Sequence, residues 1–431
     1  MTAPVREVAH ATCLGCGCAC DDIDVSVAAD GSEHIVEARN ACPLGLRWFG
    51  DGRVPGRVLL RGAAASRPDA VSRIAELLHA DRPVLVYLAP DISTAAQRRA
   101  IALADRVGGR LDSVTSDTAA AGILAGQCRG RATSTLGEIR NRADCLLFWA
   151  VDPAERYPRY LSRYALDPVG TQVPGGRAGR LVIAADVGSA RGPADAEARL
   201  TLAPDKEIAA LGVMRAALLG RALGGLDAGL AAAAELVRRL AAMRYVAIVH
   251  DAEPQAAGHS PERAEGLIGL AQALNGPTRC TLSSLRAGGN RSGADATLIW
   301  QTGYPFAVDF DAGYPRYRAD EPASTLAGAI AAALVVGAAG LLPDAVARML
   351  ARVPTAVVGP RASEAPFAAE VAIDTGVAGI HEGGTGYRMD DVPLPLAAVL
   401  PGPVSAGTVL DEIAAAVAAS AANRGAPAGA R

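Results

Sequence analysis

The sequence is almost without lysine. Of its 42 basic residues only Lys206 is a lysine, and the rest are arginine. With the heavy use of Ala, Gly and Pro, this reads as the codon bias of a GC-rich genome and carries no functional weight. An excess of positive charge is also missing. The net charge of the 431 residues is −3, which argues against a nucleic-acid groove, because phosphate neutralisation needs clustered basic residues. The six histidines are dispersed and form no HxH or HExxH pattern, so a histidine-based metalloenzyme is not expected. There is no GxSxG elbow. Gly383-Gly384-Thr385-Gly386 resembles a phosphate-cradling loop but lacks the Lys-Ser/Thr of a P-loop. Residues 1–10 hold no charged segment followed by an apolar core, so no secretory signal is expected. One uncharged stretch, between Pro322 and Pro343, reaches the ~20 residues of a membrane span. It is mostly Ala and Gly, and it reads as a helix, a buried strand and a turn. A cytoplasmic protein is expected.

What is present is a repeated alternation. Val71–Ala80, Ser93–Val107, Ile208–Leu219, Leu230–Ala242, Glu262–Leu274 and Asp344–Ala351 carry apolar residues at helical spacing. Between them lie short apolar runs: Pro83–Ala89, Cys145–Val151, Leu181–Val187, Tyr245–His250, Thr278–Leu282, Ala332–Val336 and Thr355–Val358. Such runs are typical of strands buried on both faces of a parallel sheet. The pattern predicts an α/β protein with doubly wound layers. Three regions break it: the first 55 residues, Arg286–Pro322 with few helix signals, and the Gly- and Pro-dense Gly376–Pro403. Long irregular segments of this kind are usually functional. The tail after Ser420 is expected to be disordered.

Five of the eight cysteines fall in the first 42 residues. Cys13, Cys16 and Cys20 form one tight loop, and Cys42-Pro43 follows at a distance. Three thiolates in one loop can grip three corners of a [4Fe–4S] cube, and a remote Cys-Pro can close the fourth. Four thiolates also suit zinc, although a zinc ribbon prefers paired CxxC units. An inert remnant, its thiols packed as small hydrophobes, is the third reading. Cys18 is an additional thiol within the loop. His10 lies close to it as a surface residue. Asp21-Asp22 and Asp390-Asp391 are paired carboxylates whose neighbouring side chains point apart, so they read as solvated pairs or turn caps.

The segment Cys13–Asp24 (CLGCGCACDDID) with Asn40-Ala41-Cys42 resembles the start of the B subunit of formylmethanofuran dehydrogenase, in the molybdopterin/tungstopterin oxidoreductase superfamily. Five later segments are similar too: Gly137–Asp144, Tyr157–Arg163, Trp300–Phe310, Gly313–Tyr317 and Gly384–Pro393. The resemblance implies a small Cys-rich β domain at 1–55 and two α/β domains, one inserted into the other. The first would comprise 56–135 and 323–375, the second 136–285, with a C-terminal helix and tail at 404–431. Segments 286–322 and 376–403 would pack near the Cys-rich domain. These parts correspond to formate dehydrogenase domains I–III without the C-terminal pterin-binding barrel. The resemblance further implies Cys13, Cys16, Cys20 and Cys42 as metal ligands. It puts Trp149, Asp152, Tyr304, Thr385, Tyr387 and Arg388 on the pterin side.

Two departures from the family pattern matter. The family's metal-ligating Cys or selenocysteine lies in a Cys-His-Gly-Pro-Ser stretch, and the corresponding count lands near Thr118, within Ser116-Asp117-Thr118-Ala119-Ala120. Cys128 is ten residues too late and lacks that context. Where the family has Trp-Gly-x-Asn-Pro, this chain has Trp149-Ala150-Val151-Asp152-Pro153, with a carboxylate that would repel cofactor phosphates. Molybdopterin or tungstopterin is therefore expected to be absent, and any retained cofactor to be a [4Fe–4S] cluster or zinc, or none. The resemblance is strongest to the B chain of the bacterial formyltransferase/hydrolase complex of methylotrophs. That implies a non-catalytic, scaffold-type subunit in one-carbon metabolism, in a complex handling formyl groups between tetrahydromethanopterin, methanofuran and formate. Partner subunits, a formyltransferase and an amidohydrolase-like chain among them, would handle the methanofuran-type cofactor. The alternatives are a catalytically active dehydrogenase subunit with metallopterin and [4Fe–4S], and a stand-alone metal-binding protein on a decayed oxidoreductase fold.

Overall fold

The computed structural model describes residues 5–29, 33–80, 82–253 and 260–425, the side chains of 422–425 excepted. It is a mixed α/β structure of two compact units. The first comprises residues 1–117 and 288–431, and the second is the continuous stretch 118–287. The helix Ala120–Arg129, which the sequence puts with the first domain, has Ala125 in the second unit's core.

The first unit is built on a nine-stranded sheet. Its centre is parallel, in the order Arg110–Ser113, Val84–Leu88, Ala332–Val336, Thr355–Gly359, Val371–Asp374. Short antiparallel strands close both edges. Alternation of side chains across the pleat divides the core in two. Val84, Val86 and Leu88 join Leu334 and Val336 on one face, while Leu85 and Tyr87 join Ala333 and Val335 on the other. Helices cover both faces, so every side chain of these two strands is buried. This is why their sequences read as continuous apolar runs. A separate antiparallel sheet, Val5–Ala11, Ile23–Ala28 and Ile35–Arg39, carries the N-terminal loop. The C-terminal helix Ala406–Gly425 buries Val409, Leu410, Ile413 and Val417 in the first face of the core. It continues past Ser420 to Gly425, where a loose tail was expected, and residues 426–431 lie outside the described residues.

The second unit has five parallel strands in the order Ala198–Leu202, Leu181–Val187, Cys145–Trp149, Tyr245–Asp251, Arg279–Leu285. Its helices start where side chains can accept from orphan N–H groups. Thr135 caps Leu136–Arg142, Asp227 caps Ala228–Ala241, and Ser260 caps Pro261–Leu274.

Two sequence expectations are corrected. Arg286–Pro322 contains a full helix, Arg291–Thr302, with Ala294 and Leu298 buried four residues apart on one face. The stretch after Pro322 forms no α-helix. A single 3-10 turn, Ala323–Thr325, leads to the buried strand Ala332–Val336. Gly328, with φ +81°, lies in the left-handed region that no helix continues through. Among the described residues no helix is long and apolar enough to cross a membrane.

His250 is buried in the second unit, with Nε2 2.9 Å from Ser284 Oγ. Burial, reinforced by the charges of Arg263 and Arg131, pushes it down to about 3. An unfolded histidine takes up its proton near pH 6.5, while this one stays neutral until about 3. Its contribution is therefore whole above pH 6.5 and declines as pH falls from there. In denaturant titrations between pH 7 and 4, His250→Gln is expected to lower the pH slope of stability by up to about 1.4 kcal/mol per unit. Parallel slopes for variant and wild type would contradict this.

Candidate functional site

The N-terminal loop gathers the cysteines. Its ends are tied by the Cys13 N–H, which donates to the Cys20 carbonyl at 2.9 Å. Cys42 then opens the helix Pro43–Phe49, and its Sγ accepts from Gly45 N at 3.5 Å. Cys13 Sγ accepts from Gly15 N at 3.4 Å. Gly45 separates these two thiols. A Cβ there would stand 3.3 Å from Cys13 Sγ and 3.9 Å from Cys42 Sγ, so the missing side chain leaves room for both sulfurs. Cys13, Cys18 and Cys20 are buried, and Cys16 and Cys42 are half-buried. Burial, followed by the neighbouring Cys16, Cys20 and Cys42, raises the Cys13 thiol far above its ordinary range. Cys18 is raised too, first by its hydrogen bond to Cys16, then by burial and by Cys16, Cys20 and Cys42. The pocket therefore disfavours thiolates unless a cation compensates them. The thiols are gathered but not closed: among the described residues no three His, Cys, Asp or Glu side chains are placed to hold a metal ion.

Gly288, Gly289 and Asn290 fasten this loop to the main sheet. A Cβ at Gly288 would fall 2.1 Å from the Leu14 carbonyl oxygen, so only glycine permits the approach. Gly289 N donates to that same carbonyl at 2.9 Å, and the Gly289 carbonyl accepts from Asp91 N at 2.9 Å, just beyond the strand Val84–Leu88. Asn290 donates from Nδ2 to the Ile92 carbonyl at 2.9 Å, and its Oδ1 accepts from Tyr387 N at 2.7 Å. The hairpin Gly384–Tyr387 with Pro393–Leu396 is thereby held beside the thiol loop. Met389 N donates to the Gly17 carbonyl at 2.9 Å, and Leu14, Ala19, Ala378, Leu394 and Leu396 form a small apolar core between them.

Of the residues that the resemblance puts on the pterin side, Thr385, Tyr387 and Arg388 lie on this hairpin. Thr385 pairs with Pro395, and Tyr387 meets the exposed Trp300 edge-on at 5.9 Å. The Arg388 guanidinium forks onto Asp390 at 2.7 and 2.8 Å, so both charges are compensated where they are buried. Tyr304 lies elsewhere in this unit, stacked on Tyr317 at 5.0 Å. Trp149 and Asp152 belong to the second unit. Trp149 is wholly buried at the end of its strand, and Nε1 donates to Glu207 Oε1 at 2.7 Å, an atom that also accepts from Arg263. Asp152 is exposed and accepts from Ala154 N at 2.9 Å. Cys128 is exposed near the end of its helix, and Cys145 and Cys280 are core residues. His10 is exposed.

Thr118 ends the short helix Val114–Thr118, which follows directly from the strand Arg110–Ser113. Ligands of open α/β sheets sit beyond such carboxyl ends, where the strand order reverses. In the first unit the order reverses between Val84–Leu88 and Ala332–Val336. A cleft of about 390 Å³ opens beyond those strands, lined among others by Trp48, Asp91, Leu341, Arg361 and His381. Asp91 is pushed up to about 6 by burial. A much smaller void of about 10 Å³ lies between Ala89, Thr115 and Asn290. The segment next to Thr118 is spoken for. Ser116 Oγ donates to Asp112 Oδ2 at 2.7 Å, and Asp112 also accepts from Ser113, Ala307 and Ala323 N–H groups. Burial, aided by the nearby Asp117 charge, pushes Asp112 up to about 7, against the opposing donors Ser116, Ser113 and Ala307. Asp112 and Asn290 are structural centres that sequence reasoning missed. Only the Gly-Gly-Asn run before a helix could have signalled the second.

No family model matches the chain. Three curated relatives do. The B chain of the tungsten-containing formylmethanofuran dehydrogenase 2 of Methanocaldococcus jannaschii is 29% identical over 424 residues, covering 93% of this chain and 95% of the relative. Its counterpart in Methanococcus maripaludis is 27% identical over 413 residues, 91% and 94% of the two chains. The B chain of the formyltransferase/hydrolase complex of Methylorubrum extorquens is 32% identical over 344 residues, 75% and 86%. Among solved structures, a chain of that organism's formyltransferase/hydrolase complex, crystallised with methylofuran, superposes with a TM-score of 0.71 at 26% identity. The match covers 85% of this chain and 99% of that one.

The gap at Gly45 can be tested without any ligand. Gly45→Val would drive a side chain between the sulfurs of Cys13 and Cys42. It is expected to raise the alkylation rate of Cys13 severalfold and to cost about 1–3 kcal/mol of stability. Unchanged alkylation and stability would show that the thiols do not converge around this glycine.

Proposed function

The chain belongs to the family of formylmethanofuran dehydrogenase B subunits, and on that premise we propose that it is the corresponding chain of a formyltransferase/hydrolase complex. In this reading it handles no electrons. It is a frame for partner subunits that move formyl groups between tetrahydromethanopterin, a methanofuran-type carrier and formate. One observation carries the reading. The segment Ser116–Ala120, where the family's metal ligand belongs, offers hydroxyl and carboxylate oxygens and no thiol. Ser116 is engaged with Asp112. Two-electron chemistry at molybdenum or tungsten needs soft ligands that tune the metal, and hard oxygen donors change both its geometry and its potential. The residues present do not fit a metallopterin.

The chemistry of the thiol pocket suits a soft cation better, though among the described residues its side chains are not closed around one. Its donors are all sulfur, and Gly45 leaves space between two of them. Cys13, Cys16, Cys20 and Cys42 would hold a [4Fe–4S] cluster or zinc. Such a group would cross-link the loop to the helix Pro43–Phe49, a structural role that needs no electron donor. The wider architecture is read as that of metallopterin oxidoreductases, a small Cys-rich sheet with two α/β domains. Here the old crevice persists as the cleft near Asp91. The expected partners are a formyltransferase and an amidohydrolase-like chain, in the cytoplasm.

Thr118→Val in the assembled complex tests the reading. Formate release from formyl-carrier is expected to stay within about twofold of wild type. A loss of about tenfold or more with an intact assembly would contradict it.

A further inference from the structure

The helix Thr94–Arg106 turns an apolar face to the core through Ala96, Ala100, Ile101 and Ala104. Gln97 stands on that face, three residues before Ala100 and four before Ile101, and is almost wholly buried. Its amide is only half used. Nε2 donates to the Asn290 carbonyl at 2.9 Å, whereas Oε1 meets no donor among the described residues. The amide is not free to turn over, because Oε1 would then face that carbonyl oxygen. Buried side-chain oxygens are nearly always paired, with protein or with an ordered water. Gln97 also lines the void of about 10 Å³ beside Ala89, Thr115 and Asn290. A space of ~10–15 Å³ is the least that holds one water. Ser113 is a second polar residue on the same wall. Its Oγ accepts a long bond from Thr115 N at 3.4 Å, and among the described residues no acceptor takes its O–H.

We propose that this void is a binding site for one internal water. The water donates to Gln97 Oε1 and accepts from the Ser113 hydroxyl, and so joins the helix Thr94–Arg106 to the end of the strand Arg110–Ser113. The lining favours a neutral guest. Arg291 stands at the wall, and its charge repels a monovalent cation of similar size. The volume admits nothing larger than a water. A wholly apolar void would stay dry, whereas this one is edged by an unpaired amide oxygen and a hydroxyl. The site adds a link to the pin at Gly289 and Asn290. Gln97 holds Asn290 through one atom of its amide and, through the water, Ser113 through the other. Ser113 in turn leads directly into the short helix Val114–Thr118. The inference stands on packing and hydrogen-bond accounting and does not depend on the subunit's role.

A crystal structure of the complex containing the full chain, at a resolution that shows ordered waters, tests the site directly. One water is expected within hydrogen-bond distance of both Gln97 Oε1 and Ser113 Oγ. Empty density in the void, or a protein donor on Oε1, would overturn the proposal. Ala294, which also lines the void, gives a second test by thermal unfolding of the complex. Ala294→Ser brings a hydroxyl that can replace the water. Ala294→Val fills the same space with carbon and leaves Oε1 unpaired. If the void is wet, Ala294→Val is expected to melt below Ala294→Ser by about 2–4 °C. If it is dry, the valine gains packing and the order reverses, which would contradict the proposal. Should either variant fail to assemble, the density beside Gln97 in the wild-type complex decides alone.

Discussion

The first unit hangs on a close backbone approach at Gly288. Its Cα packs so near the Leu14 carbonyl that no side chain would fit, and Gly289 donates to the same oxygen. The next residue, Asn290, sits in the left-handed region with φ 63°, and its side chain lies against Gly293 without making a cap hydrogen bond to the helix it precedes. It reaches instead to Ile92 and Tyr387, while its carbonyl accepts from the buried Gln97. Three consecutive residues thus bind the thiol loop, the carboxyl end of the strand Val84–Leu88 and the hairpin Gly384–Tyr387 into one body. Each link is a hydrogen bond that buried backbone groups would otherwise lack, so losing the approach would leave several polar groups unsatisfied together.

That constraint decides what the thiols can do. Because the loop is pinned at Leu14 and at Gly17, the cysteines are held in a fixed, largely dry pocket. Burial keeps the Cys13 and Cys18 thiols protonated there until a cation compensates the charge. The carboxyl ends of the central strands, by contrast, keep a cleft, and the neighbouring segment Ser116–Ala120 offers hydroxyl and carboxylate oxygens.

The sheets were legible in the sequence because parallel strands buried on both faces must be apolar throughout. Val84–Leu88, Ala332–Val336 and Cys145–Trp149 all fell within the short runs that marked them. The helix Arg291–Thr302 was not legible, because its first residue is preceded by an asparagine that offers no side-chain cap. The stretch 323–331 suggested a helix from its alanines, and Gly328 prevents one. The cysteine spacing pointed to one metal-binding pocket; the structure holds the thiols in one loop and at the start of the next helix, and among the described residues no three of them are placed to hold a metal ion. Motif similarity could not separate Thr385, Tyr387 and Arg388, which adjoin that pocket, from Tyr304, Trp149 and Asp152. Which residues meet depends on long-range contacts such as Asn290 to Tyr387, and no local pattern encodes them.

The central claim is that this chain carries no redox metal at the old ligand position. Elemental and pterin analysis of the purified complex tests it most directly. The account predicts molybdenum and tungsten far below one per chain and no extractable pterin, whatever iron or zinc the thiol pocket retains. Stoichiometric molybdenum or tungsten together with a pterin would contradict it.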